Sequence, residues 1–530
     1  MTRRLYINQA TSVGRASQVV AAMIMVSRLT GFARTVVVAH FFGRNSATDA
    51  YIAAFNIPDT LAILISGGLL ATGFVPVFTA LLQKGNEEDA RETFRALLTL
   101  VMVGFGVISL VLLGLTWTPI GRILSPGTKE SDVQLYLHIL RILLVAQWVF
   151  VVGGVFAGTF NALRRFLLFS IQPVFFNVGI VLFGVVFAQR NNPSTIVYQA
   201  WGALFGALAG TLGVMVPAAF ANGLSLKPLW QPSNEGVRRV LGALGPVVLG
   251  LASGQIIALN LPRAFGKLMD VGAATSLDNA NKLMQVPLDL LASSAAVALL
   301  PTLSRLWIDN DVTQMRREFG VALKRNIHLM MFAAAMLWAL SNPLIRLLLQ
   351  NGKFTTKDAN DTALVLRCYA LCLPALGAQQ LLARGFYATN RGADVVGIGA
   401  FAMALFFPLG FIATLLPLPG GAGLALAAAM ATSILSASLA WKLRSEWGTL
   451  GAKNFRQSII RSTICALAAG FTAWLVAHFV GALVAPFDQN TVSSTIRLIV
   501  RVLVFVLGAG AGGGIWKVLS PKNKTRAKTV

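Results

Sequence analysis

Apolar runs of about 20 or more residues recur along the whole chain and are separated by short polar segments. As a helix, a run of this length matches the thickness of the hydrocarbon core of a bilayer. The pattern therefore predicts an all-α polytopic membrane protein with about 14 transmembrane helices. The predicted spans are 16–42, 47–82, 93–118, 133–160, 166–188, 196–221, 236–265, 273–304, 316–341, 360–388, 395–417, 420–443, 457–483 and 494–517.

Composition agrees with this fold class. The 530 residues are 56% hydrophobic and only 12% charged, whereas soluble domains have about 25% charged residues. The formal net charge of +24 would suggest a nucleic-acid partner in a soluble protein. Here the basic residues lie mainly between the apolar runs, so we expect contact with anionic membrane lipids and no nucleic acid.

The loop charges predict the orientation. With the N-terminus inside, the inner segments hold about 25 Lys and Arg and the outer loops about 8, which follows the positive-inside rule. We therefore expect both termini in the cytoplasm; the outer loop QNGKFTTKD (350–358), with Lys353 and Lys357, is an exception. The basic segment MTRRLYINQATSVGR is expected to be retained, because no obvious small-residue cleavage site follows it.

Two arginines, Arg28 and Arg34, lie inside the first apolar run. Each costs roughly 2.5–3.5 kcal/mol near the middle of a bilayer, so the pair indicates a polar cavity or an anionic ligand. On a helix they are about 9 Å apart along the axis and about 120° apart around it, so both fit one wide cavity. The alternative is that their long side chains reach a membrane interface. This is easier for Arg34, nearer the outer end of the helix, than for Arg28, near mid-depth.

An acidic residue, Asp49, lies at the start of the second span. One interpretation is that it caps its own helix together with Ser46 and Thr48. The other is a gating or ion-coupling role, or an ion pair with a nearby arginine.

The eighth span holds a second charged set, Asp278, Lys282 and Asp289, in LDNANKLMQVPLDLL (277–291). Their spacing of four and seven residues places all three on one helix face. They could form a structural ion pair. Alternatively, Lys282 is a third cationic contact for an anionic substrate, with the acids holding it or exchanging protons.

Two spans contain helix-breaking residues. The breaks fall at Pro58, Gly67 and Gly68 in the second span and at Pro287 and Pro301 in the eighth. Interrupted helices line a cavity in some transporters, and a plain proline kink is the alternative. The glycine-rich runs 202–213 and 508–514 predict close helix packing.

Further arginines fall in or at apolar runs: Arg141, Arg367, Arg497 and Arg501. The last two begin the final span, so we expect them at the membrane interface.

Catalytic chemistry has no support in the sequence. There is no phosphate-binding loop and no HExxH motif, and the four histidines and three cysteines show no ligand spacing. We therefore predict a protein that is not an enzyme, with no catalytic residue, no metal site and no cofactor. Energy for transport would come from a coupling ion, Na⁺ or H⁺, or from the membrane potential.

Several blocks resemble the MviN/MurJ family, which contains lipid II flippases of a wider exporter superfamily. They occur in order and cover nearly the whole chain: SRLTGFAR (27–34), FFG (41–43), ATDAYIAAFNIP (47–58), FVP (74–76), NALRRF (161–166), NKLMQVP (281–287), LLPTLSR (299–305), NGKFT (351–355) and GFYAT (385–389).

This resemblance implies two six-helix lobes around a central cationic cavity, plus two C-terminal helices that form a groove for a lipid tail. The lobes would be 1–225 and 226–450, with the last two helices and a basic tail in 451–530. The implied cargo is the undecaprenyl-diphosphate-linked disaccharide pentapeptide, moved from the inner to the outer leaflet of the bacterial cytoplasmic membrane by alternating access. The substrate-binding residues would be Arg28, Arg34 and Lys282; Asp49 matches the conserved acid of the second span.

The sequence departs from the family pattern in three places. Thr35 stands where the family usually has Asp, and Lys282 stands for an arginine, which keeps the charge but loses the bidentate fork. The stretch TLAILISGG (60–68) lacks the arginine pair and acid of the family.

Three functions therefore stay open: a lipid II flippase, a flippase for another lipid-linked saccharide or an inactive paralogue, and a scaffold that recruits cell-wall synthesis proteins. A membrane-embedded transferase is disfavoured, because no paired acids face a loop.

Overall fold

The computed structural model describes residues 13–65, 74–123, 130–189, 191–242, 256–257, 261–266, 268–389, 391–448, 455–488 and 493–519. These residues are almost all helical, and the one β pairing among them is an isolated bridge between Gln189 and Asn192. Nine helices in the described part are long and apolar enough to cross a membrane, or ten if one bent pair forms a single span. The predicted all-α polytopic class is confirmed. The count of about 14 stays a prediction, because predicted spans such as 47–82 and 236–265 lie partly outside the described residues.

Packing divides the chain into two compact units. Unit 1 comprises 1–278, 351–358 and 392–403, and unit 2 comprises 279–350, 359–391 and 404–530. The predicted division into 1–225, 226–450 and 451–530 stays a prediction.

Helices α1 to α12 belong to unit 1. They are α1 Val13–Phe41, α2 Ser46–Ala54, α3 Asn56–Ile65, α4 Val75–Gln83, α5 Glu87–Leu115, α6 Ile120–Ile123, α7 Glu130–Ala162, α8 Phe166–Val186, α9 Val197–Leu208, α10 Val216–Ala221, α11 Glu235–Gly242 and α12 Leu261–Gly266. Helix α13, Ala273–Pro287, begins in unit 1 and continues into unit 2.

Unit 2 holds most of the remaining helices. They are α14 Ser294–Ile308, α15 Val312–Leu349, α16 Thr356–Ala370, α17 Leu373–Ala388, α18 Gly392–Leu415, α19 Ala422–Trp447, α20 Phe455–Val484 and α21 Ser494–Leu519. Helices α16 and α17 form the bent pair, with an angle of 42° between them. The first turns of α16 and the first half of α18 are counted with unit 1.

Helix α7 lies at the centre of the unit 1 core. Its first half packs with α2 and α9 in one buried cluster, and its second half packs with α4 and α5 in another. Because α7 is apolar on all sides, its burial on several faces follows from its sequence.

The glycine-rich runs pack closely, as predicted. A Cβ on Gly179 of α8 would lie 2.2 Å from the carbonyl oxygen of Gly202 on α9. A Cβ on Gly512 of α21 would lie 2.7 Å from the Met336 sulfur of α15 and 2.8 Å from the Ala469 carbonyl oxygen of α20. Glycine at these positions lets the backbones approach.

The interrupted spans have different structures. The second span breaks at Phe55, between α2 and α3, and Pro58 sits in the first turn of α3. Gly67 and Gly68 lie outside the described residues. In the eighth span, a π-helical segment from Leu288 to Ser293 follows Pro287, so the helix continues rather than ends. Pro301 lies inside α14.

Candidate functional site

Arg34 of α1 stacks on two aromatic rings of unit 1. Its guanidinium carbon lies 4.3 Å from the ring centroid of Phe55 and 5.5 Å from that of Tyr51. Both rings are almost fully buried, and they pack edge to face at 5.2 Å. We call Tyr51 and Phe55 the aromatic shelf. A cation held over a desolvated ring gains about 2 kcal/mol, so the shelf stabilises a charge inside an apolar helix.

The Arg34 guanidinium is not paired with an acidic side chain in the part of the chain that the structure describes. Among the described residues, no carboxylate forms a salt bridge with Arg34. Stacking uses the face of the guanidinium and leaves its N–H groups, which lie in the plane, for an acceptor. The geometry suits an anionic ligand.

Acidic groups lie near the same shelf. The carboxylates of Asp59 and Asp278 are within electrostatic range of the Tyr51 hydroxyl, as is Arg34. Asp59 Oδ1 accepts a hydrogen bond of 3.0 Å from Gln147 Nε2, and Asp278 is only 2% exposed. The structure thus brings charged groups from the first, second and eighth predicted spans to one tyrosine.

Asp49 does not cap its own helix. The cap of α2 is Asn45, whose side chain accepts from the Thr48 N–H at 3.0 Å while its own N–H donates to the Thr48 hydroxyl at 2.8 Å. The predicted capping role of Asp49 with Ser46 and Thr48 is therefore wrong. The cap position is one turn earlier, and it leaves the Asp49 carboxylate to bond elsewhere.

The Asp49 carboxylate caps a different helix. Its Oδ1 accepts from the Thr275 N–H at 2.8 Å and from the Thr275 hydroxyl at 2.7 Å, and its Oδ2 accepts from the Gly272 N–H. Gly272 immediately precedes α13 and Thr275 lies in its first turn, where the N–H groups have no partner within the helix. A negative charge at a helix N-terminus is also favoured by the helix dipole. Asp49 therefore ties the second predicted span to the start of the eighth.

Arg44 completes this arrangement. Its Nε donates to the Gly272 carbonyl oxygen at 2.9 Å, and its Nη1 lies 3.7 Å from Asp358 Oδ1. Gly272 has a φ of +90°, and a Cβ there would lie 2.1 Å from the Arg44 Cγ, so only glycine fits. We call Arg44, Asp49, Gly272, Thr275 and Asp358 the turn cluster.

The loop with the NGKFT block docks beside the turn cluster. The Lys353 N–H donates to the carbonyl oxygen of His40 at 3.0 Å, near the end of α1. Gly352 has a φ of +64°, and a Cβ on it would lie 2.2 Å from that carbonyl oxygen. Two blocks that are far apart in the sequence, FFG and NGKFT, are therefore in contact.

The other predicted site residues lie on different elements of the two units. Arg28 is exposed on α1, whereas Lys282 is half-buried on α13 in unit 2. Asp289, in the π-helical segment, accepts a long bond of 3.4 Å from the Ser293 hydroxyl. A joint site of Arg28, Arg34 and Lys282, and a shared role for Asp278, Lys282 and Asp289, stay predictions.

Arg501 is buried inside unit 2, and its expected position at the membrane interface stays a prediction. It is 5% exposed, and its Nε donates to Asp488 Oδ1 at 2.8 Å. Its Nη1 donates to the carbonyl oxygens of Arg346 at 3.1 Å and Gln350 at 2.6 Å, at the C-terminal end of α15. A cation at a helix C-terminus completes its hydrogen bonds and opposes its dipole. Arg501 therefore anchors α21 to α15.

Unit 2 contains an apolar groove of about 640 Å³. Its lining comes from α15, the bend between α16 and α17, and α20: Met331, Ala334, Ala335, Trp338, Leu371, Pro374, Thr463, Ala466, Leu467, Gly470, Phe471 and Trp474. We call this set the apolar groove. The implied tail groove was expected from both C-terminal helices, but only α20 supplies lining residues.

Sequence reasoning missed the residues that hold these groups in place, namely Arg44, Tyr51, Phe55, Gly272 and Thr275. The aromatic pair four residues apart in AYIAAF was a usable signal, because it places two rings on one helix face. No local signal marks Gly272 as a neighbour of Asp49.

Comparison with known proteins identifies the family. A family model described as lipid II flippase MurJ matches residues 38–488. The lipid II flippase MurJ of Burkholderia cenocepacia is 25% identical over 508 residues, covering 93% of this chain and 96% of that protein. A probable lipid II flippase MurJ of Treponema pallidum is 24% identical over 509 residues, covering 93% and 94%.

Solved structures show the same fold. A lipid II flippase MurJ in an inward closed conformation superposes with a TM-score of 0.69 at 19% identity, covering 93% of this chain and 98% of that one. An inward-facing multidrug MATE transporter superposes with a TM-score of 0.68 at 14% identity, covering 82% and 98%. At these identities the structures establish a transporter fold only. The family match extends over most of the chain, and the protein is therefore a polytopic membrane protein that belongs to the lipid II flippase MurJ family.

Proposed function

We propose that the protein carries lipid II, an undecaprenyl-diphosphate-linked disaccharide pentapeptide, from the inner to the outer leaflet of the cytoplasmic membrane by alternating access. One observation carries the proposal: the half-buried guanidinium of Arg34, stacked on the aromatic shelf, pairs with no carboxylate of the described residues. A diphosphate supplies the missing anion, and planar N–H donors match its oxygens. Arg28 and Lys282 are proposed as further cations for the same head group.

The apolar groove supports a role for a lipid substrate. Its lining is almost entirely hydrocarbon and aromatic, and the hydroxyl of Thr463 already donates to the Ile459 carbonyl oxygen. A polyprenyl chain could lie in such a groove without losing hydrogen bonds to water, because it makes none. We assign the tail to this groove and the diphosphate to the arginines.

The turn cluster is the proposed gate. Asp49 accepts three hydrogen bonds from the start of α13, so any movement that separates α2 from α13 must break all three. Each charge-assisted bond contributes about 1.5–3 kcal/mol, which is enough to favour one state strongly yet can be offset by substrate binding. Asp278 and Asp289 are the proposed ion-coupling acids, with Na⁺, H⁺ or the membrane potential as the driving force.

The test is substitution of the two arginines of the first span. Arg28→Ala or Arg34→Ala should abolish rescue of a bacterium depleted of its own flippase, and should lower lipid II translocation in reconstituted vesicles at least tenfold, since a charged contact to the diphosphate is lost. Arg238→Ala, at an exposed position of α11, is the matched control and should retain activity. Survival with either substitution, or a folded wild-type protein that moves no lipid II, would refute the assignment.

A second candidate is transport of another lipid-linked saccharide. It is favoured by the stretch TLAILISGG (60–68), where the family carries an arginine pair and an acid but this chain has no charge. Vesicles that contain lipid II or a different polyprenyl-diphosphate saccharide separate the two candidates directly. A scaffold would move neither lipid.

A further inference from the structure

Arg367 of α16 is a charged group beside the apolar groove that the proposed mechanism does not use. Its Nε donates to the Ser341 hydroxyl at 2.8 Å, and its guanidinium carbon lies 5.5 Å from the ring centroid of Trp338. Trp338 lines the apolar groove and is 45% exposed. All three residues belong to unit 2.

Arg367 lies inside an apolar segment, the predicted span 360–388. It follows the first residue of α16 by 11 positions, and Trp338 precedes the last residue of α15 by 11. Each therefore lies about 16 Å along its helix from the connecting loop. The predicted span begins at 360, so Arg367 lies seven positions, about 10 Å, inside it.

The guanidinium also has unused hydrogen-bonding capacity. Within the described part of the chain, no carboxylate pairs with Arg367, and the Ser341 hydroxyl takes one of its several N–H donors. A charge within an apolar span without an anionic partner is costly, and such residues in membrane proteins generally mark a ligand or ion pathway. Its neighbour is a groove that accepts hydrocarbon. An apolar cavity with one cation beside it is complementary to an amphipathic lipid with an anionic head.

We propose that Arg367 binds a phosphate of a polyprenyl diphosphate whose hydrocarbon chain occupies the apolar groove. The inference rests on the proposed function and adds a fourth cation, in unit 2, to Arg28, Arg34 and Lys282. Arg367 contacts the head group where the chain enters the groove, and Trp338 and Ser341 position its guanidinium. This holds the tail and the diphosphate on adjoining surfaces of one unit.

Binding of two probes to the purified protein tests the proposal without measuring transport. The probes are undecaprenyl diphosphate and undecaprenol, which have the same hydrocarbon chain but differ in charge. Arg367→Leu should weaken binding of the diphosphate about tenfold, because a charged hydrogen bond is lost, and leave undecaprenol unchanged. Arg384→Leu is the matched control: Arg384 is also half-buried in unit 2 and lies 6.0 Å over an aromatic ring, but that ring, Tyr387, does not line the groove as Trp338 does.

The outcomes separate ligand binding from packing. An equal loss for both probes would mean that Arg367 only shapes the groove, and no loss for the diphosphate would mean that it binds no phosphate; either result overturns the inference. Binding and transport are measured separately. Arg367 can therefore fail to bind the phosphate although the wild-type protein translocates lipid II, and it can bind the phosphate although the protein does not translocate lipid II.

A measurement on the wild-type protein covers the case in which Arg367→Leu does not fold. Phenylglyoxal modification at residue 367, mapped by mass spectrometry, should slow when undecaprenyl diphosphate is bound and not when undecaprenol is bound. The rate at Arg384 should stay constant with both lipids. Equal rates at residue 367 with and without the diphosphate would refute the proposal.

Discussion

Arg501 in unit 2 and Arg34 in unit 1 are the same side chain in similarly apolar helices, but their surroundings differ. Arg501 is buried and donates to a carboxylate and to two carbonyl oxygens of a helix end. Arg34 is half-buried and stacked on rings, and it forms no salt bridge with a carboxylate in the part of the chain that the structure describes. A charge in a membrane helix is therefore structural when the protein completes its hydrogen bonds, and it points to a ligand when the protein does not.

Arg141 belongs with Arg501. Its Nε donates to the Thr116 hydroxyl at 2.8 Å and its Nη2 to the Thr116 carbonyl oxygen at 3.0 Å, at the C-terminal cap of α5. Its guanidinium also lies 4.6 Å over the Trp117 ring. Asp49 is the acidic counterpart at the N-terminus of α13. Three charges in or beside apolar segments thus complete the ends of neighbouring helices, where orphan backbone groups and the dipole both favour them.

The largest expected effect is the loss of stability when Arg501, whose hydrogen bonds the protein completes, is replaced. Arg501→Ala should lower the free energy of unfolding by about 3 kcal/mol, because it removes three hydrogen bonds and leaves Asp488 with only the more distant Arg346. Urea unfolding in detergent micelles measures this loss. Arg34→Ala, which removes the contacts with Tyr51 and Phe55 but no ion pair, should cost less than half as much. Equal losses of unfolding free energy in the two variants would contradict the distinction between a structural Arg501 and a ligand-binding Arg34.

Asp49 of the turn cluster is also a charge whose hydrogen bonds are completed by the protein. Labelling kinetics can test whether it is nevertheless part of a moving gate. Asp49→Asn removes the charge and turns one acceptor into a donor, so the contact with α13 should weaken by about 1.4 kcal/mol. With a cysteine introduced at Ser46, which is half-buried on the first turn of α2, maleimide labelling should then speed up about tenfold. Asp358→Asn alters the 3.7 Å pair with Arg44 and the local bonds to Thr355 but leaves the Asp49 contacts with α13 in place, so it should change the rate less than threefold. An unchanged rate in Asp49→Asn would make the cluster a fixed structural contact.

Much of the fold was predictable because span formation depends on local composition. The first run, predicted at 16–42, is α1 from Val13 to Phe41, and the ninth, predicted at 316–341, is the core of α15. Local sequence also indicated Arg34 as a charge without local compensation. These inferences need only helix geometry and the cost of charge in hydrocarbon.

The contacts that assign roles were not predictable, because they join distant segments. Asp49 bonds to residues more than 220 positions away, and Arg501 bonds to carbonyl oxygens about 150 positions away. Nothing in the neighbouring sequence indicates that Arg501 bonds to Asp488 and to the C-terminal end of α15. The tertiary arrangement decides which donors are satisfied, and hence which charge is structural.

The smallest expected effect concerns the aromatic shelf itself. Phe55→Leu keeps an apolar residue of similar size but removes the ring nearest to the Arg34 guanidinium, so about 1 kcal/mol of cation–π attraction is lost. The affinity for undecaprenyl diphosphate should fall about fivefold, because Arg34 is then held less firmly for its ligand. Phe176→Leu, at another buried ring of unit 1 that packs on Phe150, is the control for lost packing. If both variants lower stability equally and neither changes the affinity, the shelf is part of the core, and Arg34 is positioned by α1 alone.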